Sequence, residues 1–506
     1  MGSNTSKTQS QHDDNDTPYY NEKNGLLSEE EDATTSRLRG LNLSEYSTEK
    51  GKEGGAISVT TLDSWEAELL ADPKNKLAQN AFGNGSVLLA ITDSSNEVKL
   101  RQQYFFNVEV QTIGSPSFLN NQKSSGRCWI FATSNVMRAH VIKKYNLKDD
   151  EFQLSQAYLF FYDKLEKSNF FLDNIIDTVD EDLDSRLVRY LFQGPQNDGG
   201  QWDMIVNLVN KYGVVPNEFF PDNAQATATS TLNYVVTEKL REFGLILRDL
   251  AKKGHSKSKL IEVKASMVKE IYKVIALLLG TPPKPTDKLV WEFKDKDGTY
   301  KYFETTPLDF YKTHVEYDAS VRFSLIHDPR NDFGKLYTVD RLNNISEGKP
   351  IEYVNVDIKT IKNIAIKMLK DNEPIFFGSD VGKFNQRETG VLDVKAFDYN
   401  LGFGTNLNID KLERLKTGSS QMTHAMVITG VHIDPLTNEP VRWKIENSWG
   451  DQVGKKGYYM MTDEWMNEYV FQIVTAKKYV PKDIYNVWKA KQFNVLPYDD
   501  PMGALA

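Results

Sequence analysis

The spacing of apolar side chains changes character along this chain, and the changes divide it. From Met1 to about Gly55 the residues are mostly Ser, Asn, Asp, Glu, Thr and Lys. So few apolar groups cannot offset the entropy of ordering a chain, and residues 1–56 read as a disordered tail. Beyond Ile57, TTLDSWEAELLADPKNKLAQNAF supplies a capping residue and then Trp65, Leu69 and Leu70 at helical spacing. After a loop at Gly114 to Lys123, CWIFATSNVMRAHVIKKYN spaces Ile130, Phe131, Met137, Val141 and Ile142 as a buried helix does, which sets Cys128 at a helix N-terminus. LSQAYLFFYDKLEKSNFFLDNII and DSRLVRYLF continue as helices, and NDGGQWDMIVNLVNKYGVVP as a glycine turn, a helix and a Pro-terminated loop.

Two long amphipathic helices are predicted between Asp222 and Gly280. Leu232, Val236, Leu240, Phe243, Leu247 and Leu250 mark one, and Leu260, Val263, Met267, Ile271, Val274 and Leu278 the other. LVWEF, KDKDG and TYKYF form a β-hairpin with Gly298 in its turn. The last third is strand-like at IEYVNV, EPIFFGS, HAMVITGVHI, VRWKIENS and GYYMMT, as an antiparallel sheet or barrel requires. The plan is α+β: a helical half over 57–221, an insertion over 222–345, a β-rich half over 346–490 and a C-terminal arm over 491–506. No internal repeat is evident.

Composition narrows the class. The chain of 506 residues is 40% hydrophobic, 11% aromatic and 26% charged, enough for two or three packed subdomains. No apolar run of eighteen residues suggests a membrane span. A net charge of −9 argues against a chain wrapped in nucleic acid, because phosphate binding needs Lys and Arg. One cysteine in the whole chain excludes an intramolecular disulfide and, with no secretory signal, points to the cytosol. MGSNTSK matches the myristoylation pattern, with Gly2 as acceptor and Ser6 in the required place; one such chain gives only marginal, reversible membrane association.

A thiol becomes a nucleophile when its pKa is lowered, which a helix N-terminus and an imidazolium both achieve. Beside Cys128, Gly126 permits close approach, Arg127 adds positive charge, and Gln122 lies six residues upstream, where its amide can serve as an oxyanion donor. A lone buried cysteine is more commonly structural. NQKSSGRCWIFA, however, resembles the active-site segment of papain-like cysteine proteases, with Ser125 where secreted members have a disulfide cysteine. Arg127 replaces a small residue and is expected to narrow or charge the cleft. His424 in SSQMTHAMVITGV and Asn447 in WKIENSWGDQVGKKGYY match that family's other two segments in the required order. The resemblance implies that His424 accepts the thiol proton, that Asn447 orients the ring, and that Trp449 shields their bond from water. Singly, a core histidine and a turn-capping asparagine explain these two residues; three matching segments in order do not fit that account. Asp198, Gly199 and Gly200 with Trp202 resemble the glycine pair that holds substrate backbone.

From Cys128 to His424 is 296 residues, against the roughly 130 to 150 of a minimal member. The excess, together with LSQAYLFFYDKLEK, LNYVVTEKLREF, HDPRNDFGKLYTVDRL and QMTHAMVITG, resembles the bleomycin hydrolase branch, from about Asp63 to Ala506. That branch implies a cytosolic aminopeptidase which also hydrolyses bleomycin and homocysteine thiolactone, assembles as a homohexamer, and needs no metal or cofactor. It further implies that the tail YDDPMGALA lies in the cleft, where the Ala506 carboxylate attracts a substrate's α-ammonium and blocks longer chains. Yeast members bind DNA, an activity to which the acidic balance gives no independent support. The alternative function is a papain-like scaffold that binds peptide or nucleic acid.

Overall fold

The computed structural model describes residues 57–111, 120–148 and 152–504. It divides into two compact units, one of residues up to Thr92 with Asp398–Asn408, the other of Asp93–Phe397 with Ile409–Ala506. In the first unit, Ser58 and Asp72 cap the helices Val59–Ala71 and Pro73–Asn84 with side-chain bonds to backbone N–H groups.

The second unit joins a helical half to a large sheet. The helix Cys128–Tyr145 is buried on every side from Cys128 to Ala139, as its apolar spacing predicts, and ends at Asn146 in the left-handed region (φ 50°). The helix Gln156–Asp177 packs against both arms of the hairpin Ser230–Lys252 and Lys257–Leu279. The helix Trp202–Tyr212 stops at Gly213, whose φ of +72° brings its Cα so near Pro307 that a Cβ would lie 2.0 Å from the Pro307 carbonyl oxygen.

At the centre of the sheet Val470–Ala476, Ile375–Ser379, His424–Ile433, Pro440–Glu446 and Tyr458–Thr462 lie side by side, each antiparallel to the next. Arg322–Ile326 adds to Val470–Ala476, and Tyr353–Asn355 and Lys335–Val339 follow. Three pairings are parallel rather than antiparallel: Arg322–Ile326 with Tyr353–Asn355, Tyr458–Thr462 with Val391–Leu392, and Phe493–Leu496 with Lys335–Val339. Two strands of this sheet thus come from the stretch expected to be an insertion. Among the described residues the β-hairpin Leu289–Lys294 and Tyr300–Thr305 forms a separate two-stranded sheet.

Side chains alternate across a strand, and His424–Ile433 uses the alternation to join two cores. Ala425 and Val427 face the helical core with Cys128, Trp129 and Val136. Met426 and Ile428 face the second core with Phe377, Trp443 and Trp465.

Candidate active site

Cys128 is the first residue of its helix and is only 2% exposed. The backbone N–H groups of Ala425, Trp129 and Cys128 itself are directed at the sulfur. Burial pushes the thiol up to about 11, and the nearby Asp198 charge adds to that, while the three N–H groups act against it. Arg127 does not line the cleft. Its buried guanidinium makes a bidentate pair with Asp222 at 2.7 and 2.8 Å and lies over the rings of Phe131 and Phe160, so the expectation that it narrows or charges the cleft is overturned.

His424 opens the strand His424–Ile433, and Asn447 directly follows Pro440–Glu446. Val427 pairs with Glu446; continued past the strand end, that register sets Trp449 opposite His424 and Asn447 on the diagonal, within side-chain reach. His424 Nε2 lies 2.9 Å from Asn447 Oδ1, which leaves Nδ1 as the nitrogen available to exchange a proton. The Trp449 ring sits 4.9 Å from the imidazole, tilted by 31°. Burial brings the imidazole down to about 4, opposed by the Asn447 bond.

A residue that the motifs did not single out ties these parts together. Ser448 donates from Oγ to Gln122 Oε1 at 2.6 Å and from its N–H to Asn447 Oδ1 at 2.8 Å, and its carbonyl accepts the Gln122 N–H at 2.9 Å. The Gln122 amide donates to the Ser125 carbonyl at 2.6 Å and keeps a second N–H. Beneath them, Arg138 of the helix that Cys128 opens and Glu446 form a buried pair at 2.8 Å, to which Asn120 adds bonds to Glu446 and to the Asn447 carbonyl.

Cys128, His424, Gln122, Asp198, Gly199 and Ala504 line one cleft of about 480 Å³. Gly200 packs on the indole of Trp129, where a Cβ would come within 2.5 Å of the ring, and Trp449 stands behind the imidazole. After the edge strand Phe493–Leu496, Asp500 accepts from Arg330 at 2.8 Å and from the Met502 N–H at 2.8 Å. Met502 is fully buried, and Gln201 donates to the Ala504 carbonyl at 2.5 Å. Ala506, like Gly2, lies outside the described residues.

A helical half, a sheet half, and a thiol and an imidazole in the groove between them define the papain-like cysteine peptidase fold. A family model described as the Peptidase C1-like family matches residues 56–503, and the chain belongs to that family. It is 44% identical to the bleomycin hydrolase of Mus musculus over 87% of this chain and 96% of the relative. Against cysteine proteinase 1, mitochondrial, of Saccharomyces cerevisiae the identity is 41%, over 89% of this chain and 93% of the relative. The crystal structure of PepW from Lactobacillus rhamnosis superposes with a TM-score of 0.85 at 39% identity, covering 89% of this chain and all of that one. The chain is therefore a cysteine peptidase, and the scaffold alternative falls away.

Proposed function

We propose that the chain is a cysteine aminopeptidase working through Cys128, His424 and Asn447. The Cys128 proton passes to His424 Nδ1 as the sulfur attacks the scissile carbonyl carbon. The oxyanion is held by the Gln122 amide and the Cys128 N–H. The C–N bond breaks, the amine leaves with the proton from His424, and a thioester remains. His424 then takes a proton from water, the hydroxide attacks the thioester, and the acid leaves as the thiol is restored. Asn447 holds the ring through its 2.9 Å bond, Trp449 covers that bond, and Gly199 and Gly200 give substrate backbone its wall.

One observation carries the aminopeptidase assignment: Ala504 lines the cleft beside Cys128 and His424. In this reading the arm beyond Ala504 meets a substrate's free α-amine and leaves no room for further residues. Bleomycin and homocysteine thiolactone are substrates in the same reading, since each offers an acyl carbon beside a free amine. The enzyme acts in the cytosol on peptides, as a homohexamer. The exposure of Leu62, Trp65, Leu69 and Leu70 on the helix Val59–Ala71 supports assembly, because it leaves an apolar stripe for a neighbour to cover; gel filtration at a monomer mass would remove it. Gly2 acylation with weak membrane association, and weak DNA binding, are side expectations, checked by mass spectrometry of the N-terminal peptide and by a gel shift.

The central test pairs an aminoacyl fluorogenic amide with its N-acetylated counterpart. The native enzyme cleaves the free-amine substrate alone, and deleting the last four residues opens the cleft to the blocked one. A truncated enzyme that still refuses it removes the role given to the tail.

A further inference from the structure

Below the cleft wall, the helix Gln156–Asp177 buries two lysines that the proposed chemistry leaves unused. Lys164 and Lys167 are 0% and 5% exposed. Lys164 Nζ lies 2.6 Å from Asp198 Oδ1 and donates to Gln196 and Asn233. Lys167 pairs with Asp163 at 2.7 Å and donates to the carbonyls of Asn197 and Gly199, on either side of Asp198. Asp198 in turn holds both flanks of the nucleophile. Its Oδ2 accepts the Gly126 N–H at 3.1 Å and the Thr229 hydroxyl at 2.5 Å, and its carbonyl accepts the Trp129 indole N–H at 2.8 Å.

Stability does not account for this arrangement. Buried ion pairs are often outdone by apolar packing of the same volume, because desolvation offsets the attraction. What the charges do provide is fixed geometry: residues 126 and 129, and with them the Cys128 between, are tied to the glycine wall by one carboxylate. We propose that Asp198 is a positioning residue for Cys128, locking the nucleophile turn to the Gly199 wall, with Lys164 as the counter-charge that keeps its carboxylate in place.

The charges near the sulfur make this readable. His424 faces it from the sheet, Asp198 from the glycine loop, and Lys164, Lys167 and Asp163 lie behind Asp198 on one helix. Arg127 is engaged by Asp222, and Arg387 faces His424. Burial brings Lys164 down to about 8. Against their own burial, Lys164, Thr229 and Gly126 hold Asp198 below the usual carboxylate range. Asp198 acts on the thiol directly and Lys164, behind it, opposes that charge, so removing either moves the thiol in its own direction.

The test uses the full chain, whose single cysteine makes alkylation by iodoacetamide a direct report on Cys128, independent of the aminopeptidase assignment. Lys164→Met should move the pH profile of alkylation upward and slow it about threefold or more at pH 7, and Asp198→Asn should move it downward. The double variant should lie between the two single variants. Turnover in Asp198→Asn should fall about tenfold or more with KM little changed. Thr229→Val keeps both charges and should lower kcat without moving the profile. If Asp198→Asn fails to fold, Lys164→Met and Thr229→Val carry the decision. Shifts of the single variants in the same direction, or unchanged profiles and kcat with only lower melting temperatures, would overturn the assignment.

Discussion

Arg138, three turns into the nucleophile helix, donates at 2.8 Å to Glu446, the residue immediately before Asn447. Both side chains are almost wholly removed from water, so the two elements that bring Cys128 and the His424–Asn447 pair together are riveted at one point. Arg138→Ala should cost about 3–5 kcal/mol, because it leaves a carboxylate buried without its partner. Replacing both by apolar residues should recover most of that. Urea unfolding of the two variants checks the difference, and equal losses would mean the pair is not what holds the junction.

Exchange of the Cys128 sulfur for oxygen leaves an unactivated hydroxyl. Cys128→Ser should lower kcat/KM by about 10³-fold or more while leaving the fold intact, measured with the aminoacyl amide and by circular dichroism.

Moving a proton from the thiol to the imidazole leaves the number of protons on the pair unchanged, so activity falls only where the pair gains or loses one. Burial brings His424 down to about 4 and Cys128 up to about 11, which pushes the limbs apart. The profile of kcat/KM should be broad, its acid limb well below 6.5. For stability the sign is that of a depressed histidine. The contribution is complete above 6.5 and is lost as pH falls to about 4, where the unfolded chain binds the extra proton. An acid limb near 6.5 in both profiles would contradict this.

Gly200 sits against the Trp129 indole, with a Cβ position 2.5 Å from the ring. Gly200→Ala should therefore push the residue next to the nucleophile, destabilising the fold by about 1–3 kcal/mol and lowering kcat more than it raises KM. A thermal melt and steady-state kinetics read the two effects separately.

The arm is pinned by Arg330, which contacts Asp328 and Asp500 at 2.8 Å each. Arg330→Ala should loosen the arm without deleting it, and the N-acetylated substrate should become detectable at a rate below that of the four-residue truncation. No gain over the native enzyme would mean that the Met502 and Gln201 contacts suffice.

Local signals in the sequence led to much of this architecture. The helical spacing of Ile130, Phe131, Met137, Val141 and Ile142 marked the Cys128 helix, and Gly298 in KDKDG marked the hairpin turn. Long-range relationships were out of reach. Val470–Ala476 follows the helix Asp463–Tyr469 with no turn residue between, so no punctuation announced a central strand. Arg127 looked like a cleft charge because its partner, Asp222, is 95 residues away. Ser448 closed the strand-like run VRWKIENS and carried no signal of its own. The buried lysines did leave a trace: Phe160, Lys164 and Lys167 share one face of a helix whose same face is aromatic, a conflict between charge and burial that marks a network.

The place of Val470–Ala476, between Ile375–Ser379 and Arg322–Ile326, sets the order of events during synthesis. While a ribosome is still making the segment beyond His424, the sheet has a gap at its middle, and the groove lacks a supported floor. Pairings over more than a hundred residues form slowly. A half-made chain is thus a protease without a working blade until Val470–Ala476 has emerged and paired.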